Sequence, residues 1–371
     1  MNQSKNNSVY IHIPFCDEIC SYCDFCKFYY NEELVDKYLL ELKNEIDSNY
    51  NNDIIKTIYI GGGTPSSLNI EQLTKLLELT KSFNCDIEEF TIEANVESLT
   101  EDKVKLFKEY GVNRLSIGVQ TFNYDLLRLL NRKHTKKQVI DTISMAKKYI
   151  DNINIDLIYA IPGETREDVL EDIDEFLKLD IPHISCYSLI IEDNTILKSL
   201  HINYIDDELD YEMYKLICDK LSLNGYNHYE TSNFARSNYE SKHNLVYWNN
   251  EHYYGFGLSA SGYIDNIRYT NTRSTNNYLK GNYRLEEETL SLNETIENEF
   301  ILGFRKIHGI DINKLYTKYN LDIKKLEFIS KLINDKKLIL KDNMLFISEE
   351  YFYLSNDILV EFMGVDYGKY I

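Results

Sequence analysis

The chain has 371 residues, of which 43% are hydrophobic and 27% charged, and 40 lysines and arginines against 60 aspartates and glutamates give a formal net charge of −20. This is the composition of a folded protein, and the length allows two or three domains with ample core. Because phosphates are bound mainly by Lys and Arg, the acidic excess argues against nucleic acid or an anionic membrane surface as the main partner.

The amino-terminal sequence MNQSKNNSVY is polar, without the apolar segment of a signal peptide, and no apolar run approaches the roughly 20 residues of a membrane span. We therefore expect a cytoplasmic protein that is not an integral membrane protein. Four of the seven cysteines lie within residues 16–26, and in a cytosolic chain such clustering favours a metal site over disulfides.

Short β-branched segments alternate with longer amphipathic segments through the first half of the chain. The segments predicted as strands are 8–14, 57–62, 89–95, 114–120, 152–159 and 183–190. The stretches between them carry apolar residues at helical spacing, so the order predicts a parallel sheet with right-handed crossovers. A complete eight-stranded barrel would need two more strands, which leaves a partial open barrel or a doubly wound sheet.

The first predicted strand leads into FCDEICSYCDFC, in which three and then two residues separate Cys16, Cys20 and Cys23. Thiolates at this spacing can hold one face of an iron–sulfur cube and leave the fourth iron open to an exogenous ligand. Two alternatives are a zinc site that includes Cys26 and a fully ligated electron-transfer cluster. Zinc sites usually have two separated CxxC-like arms, so zinc is the poorer match.

The second strand ends in GGGTP, where Gly61, Gly62 and Gly63 allow close backbone approach to a ligand or form a tight βα turn. Polar residues near the ends of the next three strands are Glu93, Gln120 and Asp156. Because the carboxyl ends of parallel strands meet on one side of the sheet, these side chains predict a lined pocket. Arg132 follows the helix predicted directly after Gln120. It could bind a carboxylate there, or it could lie at a solvated helix end without a ligand.

Beyond residue 190 a helix is predicted within 206–226, and residues 228–290, which contain Trp248, are expected to be irregular. The remaining sequence predicts three helices, a hairpin turning at Asp342-Asn343 and a final helix. That order suggests a small winged-helix-like module. Because the chain is strongly acidic, we expect this module to be a packing or substrate-covering element and not a DNA-binding one.

The cysteine loop, the glycine segment and the six strands together resemble the radical S-adenosylmethionine (SAM) superfamily. Within it, YIHIPFC, GGGTPSSL, SIGVQTF, NRKH and IDLIYAIPGET are similar to the oxygen-independent coproporphyrinogen III oxidase family. The resemblance covers nearly the whole chain and implies an α/β fold, a partial six-stranded (β/α)6 barrel with a winged-helix-like module. The implied domains are the barrel (1–200), a connecting or lid region (201–290) and the carboxyl-terminal module (291–371).

The resemblance also implies cofactors and the residues that bind them. Cys16, Cys20 and Cys23 would hold a [4Fe-4S] cluster whose open iron is chelated by SAM. Residues matching positions around a first SAM are Tyr10, Tyr22, Gly62 and Glu93. Residues matching a second SAM site of the oxidases are Gly63, Thr64, Gln120, Arg132 and Asp156. Whether a second SAM binds to this chain stays open.

Two departures separate the chain from the oxidases: Asp24-Phe25 follows Cys23 where a CxC pattern is expected, and only fifteen residues precede Cys16. Both departures, and HNLVYW at residues 243–248, resemble a heme-chaperone branch of the family, in which that motif is associated with heme. His243 thereby becomes the candidate axial heme ligand. The alternative is that His243 fastens a loop to the barrel.

The leading hypothesis is a heme chaperone that binds [4Fe-4S], SAM and heme, delivers heme to a membrane or respiratory acceptor protein, takes electrons from an unidentified donor and has no oxidase activity. The alternative is an oxygen-independent coproporphyrinogen III oxidase that converts coproporphyrinogen III to protoporphyrinogen IX. A third hypothesis is a radical enzyme acting on another tetrapyrrole or methyl-transfer substrate. Cys26 is either a bystander or a ligand when SAM is absent.

Overall fold

The computed structural model describes residues 6–200, 202 and 204–371. Strands and helices alternate through the first half of the chain. They are β1 (Asn6–Ile13), β2 (Phe15–Cys16), β3 (Phe28–Tyr29), α1 (Glu32–Asn49), β4 (Ile54–Gly62), α2 (Ile70–Thr80), β5 (Asn84–Asn95), α3 (Glu101–Glu109), β6 (Arg114–Gln120), α4 (Tyr124–Leu129), α5 (Lys136–Ala146), β7 (Asn152–Tyr159), α6 (Arg166–Leu179) and β8 (His183–Ser188). A 3₁₀ turn at Pro65–Ser67 follows β4.

The helices form where the sequence supplies both a cap and an apolar face. The helices α2, α5 and α6 each begin with a capping box, at Asn69, Thr135 and Thr165. The side chain of the cap residue accepts a hydrogen bond from the backbone N–H of the third helical residue, and the side chain of that third residue accepts one from the backbone N–H of the cap. Apolar residues at helical spacing then bury one face of each helix, as Val169 and Ile173 do in α6. These capped amphipathic helices cover the sheet.

The strands β1, β4, β5, β6, β7 and β8 lie side by side in that order and pair in parallel. They are the six predicted strands, with the predicted bounds at β6 and β7 and earlier starts at β1, β4 and β5. The prediction of an α/β fold on six parallel strands is confirmed. Because the strands run in one direction, the loops at their carboxyl ends meet on one side.

The second half of the chain is built from shorter elements. They are α7 (Ile196–Ser199), α8 (Asp207–Leu223), β9 (Asn227–His228), β10 (Asn233–Ala235), α9 (Lys242–Trp248), β11 (Tyr253–Phe256), β12 (Ser261–Ile264), β13 (Ile267–Asn271), α10 (Thr275–Tyr278), β14 (Arg284–Thr289), α11 (Leu292–Gly303), β15 (Ile310–Asp311), α12 (Ile312–Tyr319), α13 (Glu327–Asn334), β16 (Leu338–Lys341), β17 (Met344–Ile347), α14 (Glu349–Phe352) and α15 (Ser355–Leu359). Further 3₁₀ turns lie at Ile323–Lys325, Val360–Phe362 and Tyr367–Tyr370. Within the described ranges, none of the helices has the length and apolar character needed to cross a membrane.

The expectation that residues 228–290 are irregular is wrong. β11 pairs in parallel with β1, β12 to β14 continue that edge in antiparallel fashion, and β10 and β9 extend the opposite edge from β8. Over the described residues the main sheet therefore has twelve strands. A strand as short as Tyr253–Phe256 is stabilised by its pairing with β1, and a tertiary pairing of that kind has no periodic signature in the local sequence.

The carboxyl-terminal residues form a second apolar core around Phe300, Phe304 and Phe362. The predicted hairpin is confirmed, because β16 and β17 pair in antiparallel fashion. Its turn residues Asp342 and Asn343 have φ of +52° and +64°, as a two-residue type I′ turn requires. The winged-helix-like character of this module and the domain limits at residues 200 and 290 stay predictions.

Candidate functional site

A cavity of about 450 Å³ opens at the carboxyl ends of the central strands. Its wall follows the two-residue period of strand side chains, so that alternate residues of each strand face inward. β6 contributes Arg114, Ser116, Gly118 and Gln120. The neighbouring strands contribute Glu93 and Asn95 from β5, Asn154 and Asp156 from β7, and Ser185 and Tyr187 from β8. The sheet thus gathers polar groups from four strands around one space.

The cysteine loop supplies another wall of the cavity. Cys16, Cys20 and Cys23 line it, whereas Cys26 is buried in the apolar core of the main sheet. Among the described residues, no three ligating side chains stand close enough to share one metal ion. In an iron–sulfur cube each thiolate binds its own iron, so sulfurs spread over one cavity wall suit a cluster better than a mononuclear zinc ion.

Two hydrogen-bond donors point at the cysteine sulfurs. The Thr64 hydroxyl donates to Cys16 Sγ at 3.5 Å, and Arg132 Nη1 donates to Cys20 Sγ at 3.7 Å. Burial is the main cause that raises the pKa of Cys16 to about 12, and it raises the pKa of Cys23 as well. The raised pKa values favour the protonated thiols of Cys16 and Cys23 in the metal-free protein, and the donors to Cys16 and Cys20 would stabilise thiolates that bind iron. The residues present fit a three-thiolate cluster.

The glycines after β4 are required by close packing. Gly62 has φ +117°, and a Cβ there would lie 2.5 Å from the ring of His12. A Cβ on Gly63 would lie 2.9 Å from backbone atoms of Ile13 and Phe15. Since side chains do not fit at either position, backbone forms this part of the cavity wall beside the cysteine loop.

Glu93 occupies the inner wall beside this glycine segment. Its carboxylate accepts hydrogen bonds from the Gly62 backbone N–H at 2.9 Å and from the Tyr59 hydroxyl at 2.8 Å. Burial is the main cause that raises its pKa to about 7, and nearby Asp156 acts in the same direction. Burial also raises the pKa of Asp156. The inner wall therefore carries two carboxyl groups that burial drives toward the protonated form.

Arg132 anchors a buried ion network between the cavity and α5. Its Nη2 donates to Glu97 Oε2 and to the Gly118 carbonyl, both at 3.0 Å, and its Nη1 donates to Asn95 Oδ1 at 3.1 Å. His134 Nδ1 lies 3.0 Å from the second oxygen of Glu97. Burial alone would raise the pKa of Glu97, but the hydrogen bond from His134 and the charge of Arg132 lower it to about 2.

Most of the residues predicted to bind SAM lie on the cavity wall. Those that do are Tyr22, Gly62, Gly63, Thr64, Glu93, Gln120, Arg132 and Asp156. Tyr10 lies behind the wall, where its hydroxyl meets His12 Nδ1 at 2.9 Å and its ring approaches Tyr59. Gln120 has φ +72°, a left-handed conformation uncommon outside glycine that surrounding packing must hold in place at the end of β6.

The helix α9, which carries HNLVYW, closes the cavity toward the amino ends of the strands. Asn244 lines the cavity, but His243 is fully buried. Its Nδ1 lies 2.7 Å from Thr57 Oγ1 and its Nε2 lies 2.8 Å from the Tyr247 hydroxyl. The Glu89 carboxylate accepts hydrogen bonds from the first backbone N–H groups of α9, including that of His243 at 3.0 Å. This carboxylate fastens the helix to β5.

Four polar side chains of this region are not among the residues predicted from the sequence: Asn95, Glu97, Arg114 and His134. Two of them lie two residues from predicted site positions, namely Asn95 from Glu93 and, in NRKH, His134 from Arg132, and Glu97 lies four residues from Glu93. Extending the two-residue period along β5 and β6 finds Asn95 and Arg114. Glu97 and His134 lie in loops, where no period applies, so their pairing with Arg132 is visible only in the fold.

Comparison with known proteins gives consistent results. A sequence profile of the Radical SAM superfamily matches residues 10–176. The chain is 43% identical to the heme chaperone HemW of Lactococcus lactis subsp. lactis (strain IL1403) over 97% of this chain and 98% of that protein. It is 38% identical to the heme chaperone HemW of Bacillus subtilis (strain 168) over 96% of this chain and 99% of that protein.

One solved structure matches the complete fold. The coproporphyrinogen III oxidase HemN from Escherichia coli, a radical SAM enzyme, superposes with a TM-score of 0.85 over 97% of this chain and 91% of that chain. The two sequences are 21% identical, so this likeness concerns the fold alone. The fold predicted from the cysteine loop and the six strands agrees with it.

Proposed function

The chain belongs to the HemW family of the radical SAM superfamily, and we propose that it is a heme chaperone that binds a [4Fe-4S] cluster, SAM and heme and passes heme to an acceptor protein. The observation that carries the proposal is one continuous cavity. The three cysteines form its outer wall, and Asn244 of the HNLVYW helix lines it as well. The motif associated with heme therefore borders the space that suits the cluster and SAM.

In this proposal Cys16, Cys20 and Cys23 hold the cluster, and Thr64 and Arg132 donate hydrogen bonds that stabilise the cysteine sulfurs. A reduced cluster held by these cysteines would supply an electron to the sulfonium of SAM. The chain's own contribution is to shape and shield the site.

The polar wall supplies donors and acceptors for SAM. We assign Tyr22, Gly62 and Glu93 to a first SAM, with Tyr10 supporting them from behind through His12. The residues assigned to a second SAM, or to other polar groups of the cargo, are Gly63, Thr64, Gln120, Arg132 and Asp156. The cavity is polar on its inner wall, which suits the amino acid and ribose parts of such a ligand.

His243 remains the proposed axial ligand of heme. Burial is the main cause that lowers its pKa to about 3, so the ring is neutral, as a metal ligand must be. Because the Thr57 hydroxyl donates to Ser8, the Nδ1–H of His243 donates to Thr57 and the Nε2 lone pair accepts from Tyr247. Ligation through Nε2 therefore requires Tyr247 to move away.

A pair of variants tests this ligand. His243→Ala should abolish the heme Soret shift, whereas Tyr247→Phe, which frees Nε2 without removing the ring, should bind heme at least as tightly as the wild type. Equal binding by His243→Ala and the wild type would reject His243 as the ligand without rejecting heme binding.

The function itself is tested on one anaerobic preparation with its cluster reconstituted. Heme titration should give a saturable Soret shift, and incubation with SAM, a reductant and coproporphyrinogen III should give no protoporphyrinogen IX. Product formation would establish the oxidase alternative. Absence of saturable heme binding would reject the chaperone function.

The proposal also includes an acceptor protein for heme, an electron donor for the cluster and a cytoplasmic location. The exposed rim of the cavity, which includes Phe25 and Ile190, is where an acceptor would have to approach for heme to pass directly. Co-purification from cells that make hemoproteins, with and without bound heme, would detect an acceptor that recognises the loaded form.

A further inference from the structure

The side chain of Arg114 is buried, and one nitrogen of its guanidinium has no hydrogen-bond partner among the described residues. The residue is 2% exposed, starts β6 and lines the cavity beside Ser116. Among the described residues, nothing accepts a hydrogen bond from its Nε. Its Nε is completely shielded from solvent and unsatisfied.

The two carboxyl groups nearest in the wall are already engaged. Glu93 is bonded to Tyr59 and Gly62, and Asp156 accepts from Asn154 at 2.8 Å and Ser116 at 3.3 Å. The charge of Arg114 acts to lower the pKa of both carboxyl groups, against the effect of burial. A buried guanidinium with an unsatisfied nitrogen is unfavourable, and a carboxylate can accept two parallel hydrogen bonds from such a group.

We propose that Arg114 binds a carboxylate of a ligand that enters the cavity. This inference rests on the function proposed above, which offers two sources of that group: a propionate of the tetrapyrrole cargo and the methionyl carboxylate of SAM. Both ligands would place an anionic group against a polar inner wall and a larger body toward the mouth.

The residues at the mouth of the cavity favour a propionate of the tetrapyrrole as the source of this carboxylate. Phe25 and Ile190 line the cavity there and are 62% and 66% exposed, so the mouth offers apolar surface beside the exposed carboxylates of Glu18, Asp24 and Glu192, whereas the wall around Arg114 is polar. A macrocycle that carries propionates has a matching distribution of polar and apolar groups, because its flat body is apolar and its side arms end in carboxylates.

The test measures affinity for acid and ester forms of each ligand. Hemin, hemin dimethyl ester, SAM and SAM methyl ester are titrated into the cluster-reconstituted wild type and into Arg114→Gln. Arg166→Gln is the control, because Arg166 lies outside the cavity in an exposed ion pair with Glu212. Far-ultraviolet circular dichroism and iron content verify that each variant is folded and loaded.

If a propionate is the ligand, Arg114→Gln should bind hemin roughly 10- to 100-fold more weakly while the ester binds both proteins equally. If SAM supplies the carboxylate, the same loss should appear for SAM and not for hemin. Unchanged affinity for both acids in folded Arg114→Gln would overturn the inference. Should that variant not fold, equal affinity of the wild type for acid and ester in both pairs would overturn it.

These outcomes separate the inference from the function on which it rests. Hemin binding by the wild type with no acid–ester difference for either ligand overturns only the role of Arg114. Failure of the wild type to bind hemin rejects the chaperone function, and the SAM titrations still decide whether Arg114 binds a carboxylate.

Discussion

Replacing Glu97 by glutamine should destabilise the barrel and change how its stability depends on pH. One carboxylate oxygen of Glu97 lies 3.0 Å from Arg132 Nη2 and the other lies 3.0 Å from His134 Nδ1. The side chains of Arg132 and His134 are both buried. Its pKa of about 2, against an ordinary 4.5, corresponds at about 1.36 kcal/mol per pKa unit to about 3 kcal/mol at neutral pH. Since 34% of the side chain is exposed, solvent screening reduces the expected loss to about 1–2 kcal/mol.

The sign of the pH dependence follows from the direction of this shift. A carboxyl group whose pKa is lower in the folded than in the unfolded state contributes stability above pH 4.5, and that stability disappears as pH falls toward about 2. The wild type should therefore lose this contribution between about pH 5 and pH 2. Glu97→Gln, which cannot ionise, should lack it at every pH.

Urea unfolding of the apoprotein, followed by fluorescence of the single tryptophan, measures the effect. Trp248 is a suitable probe because its Nε1 donates to Glu230 at 2.7 Å within the described fold. Glu33→Gln, which removes an exposed pair with Lys37 on α1, is the control and should leave the midpoint unchanged. Equal midpoints for Glu97→Gln and the wild type at pH 7, or an unaltered slope in acid, would refute the reasoning.

Three further predictions concern the cysteine loop, the glycine segment after β4 and the helix α9. Cys20→Ala should lose the cluster, whereas Cys26→Ala should retain it because Cys26 lies in the core, as iron and sulfide analysis would show. Gly63→Ala should lower stability by about 1–3 kcal/mol, since its Cβ would meet the backbone at 2.9 Å, and a thermal melt checks this. Glu89→Gln should weaken the fastening of α9 by about 1–2 kcal/mol, with faster amide exchange in α9 as the readout.

The parallel core of the fold could be predicted because its signals are local. Alternating strands and capped amphipathic helices carry their own periods, and the hairpin at Asp342-Asn343 is set by two residues that accept positive φ. β11 could not be predicted in the same way, because its pairing with β1 joins residues 245 positions apart in sequence.

The candidate site shows the same division. The cysteine loop and the polar residues at strand ends follow from the topology, which brings the carboxyl ends of parallel strands together. The unsatisfied Nε of Arg114 and the hydrogen-bonded ring of His243 depend on which side chains meet across the barrel. The position of Cys26 likewise depends on the conformation of the cysteine loop, which places this thiol, one of four close together in sequence, in the apolar core.

Transfer of heme tests the central claim most directly. Heme-loaded protein and free hemin at equal concentration are mixed with respiratory membranes depleted of heme, and recovery of the cytochrome absorbance is followed with time. A heme chaperone should restore the cytochrome spectrum faster than free hemin, and the protein should return to its heme-free spectrum in step. Retention of heme by the protein, with no gain over free hemin, would contradict the proposed function.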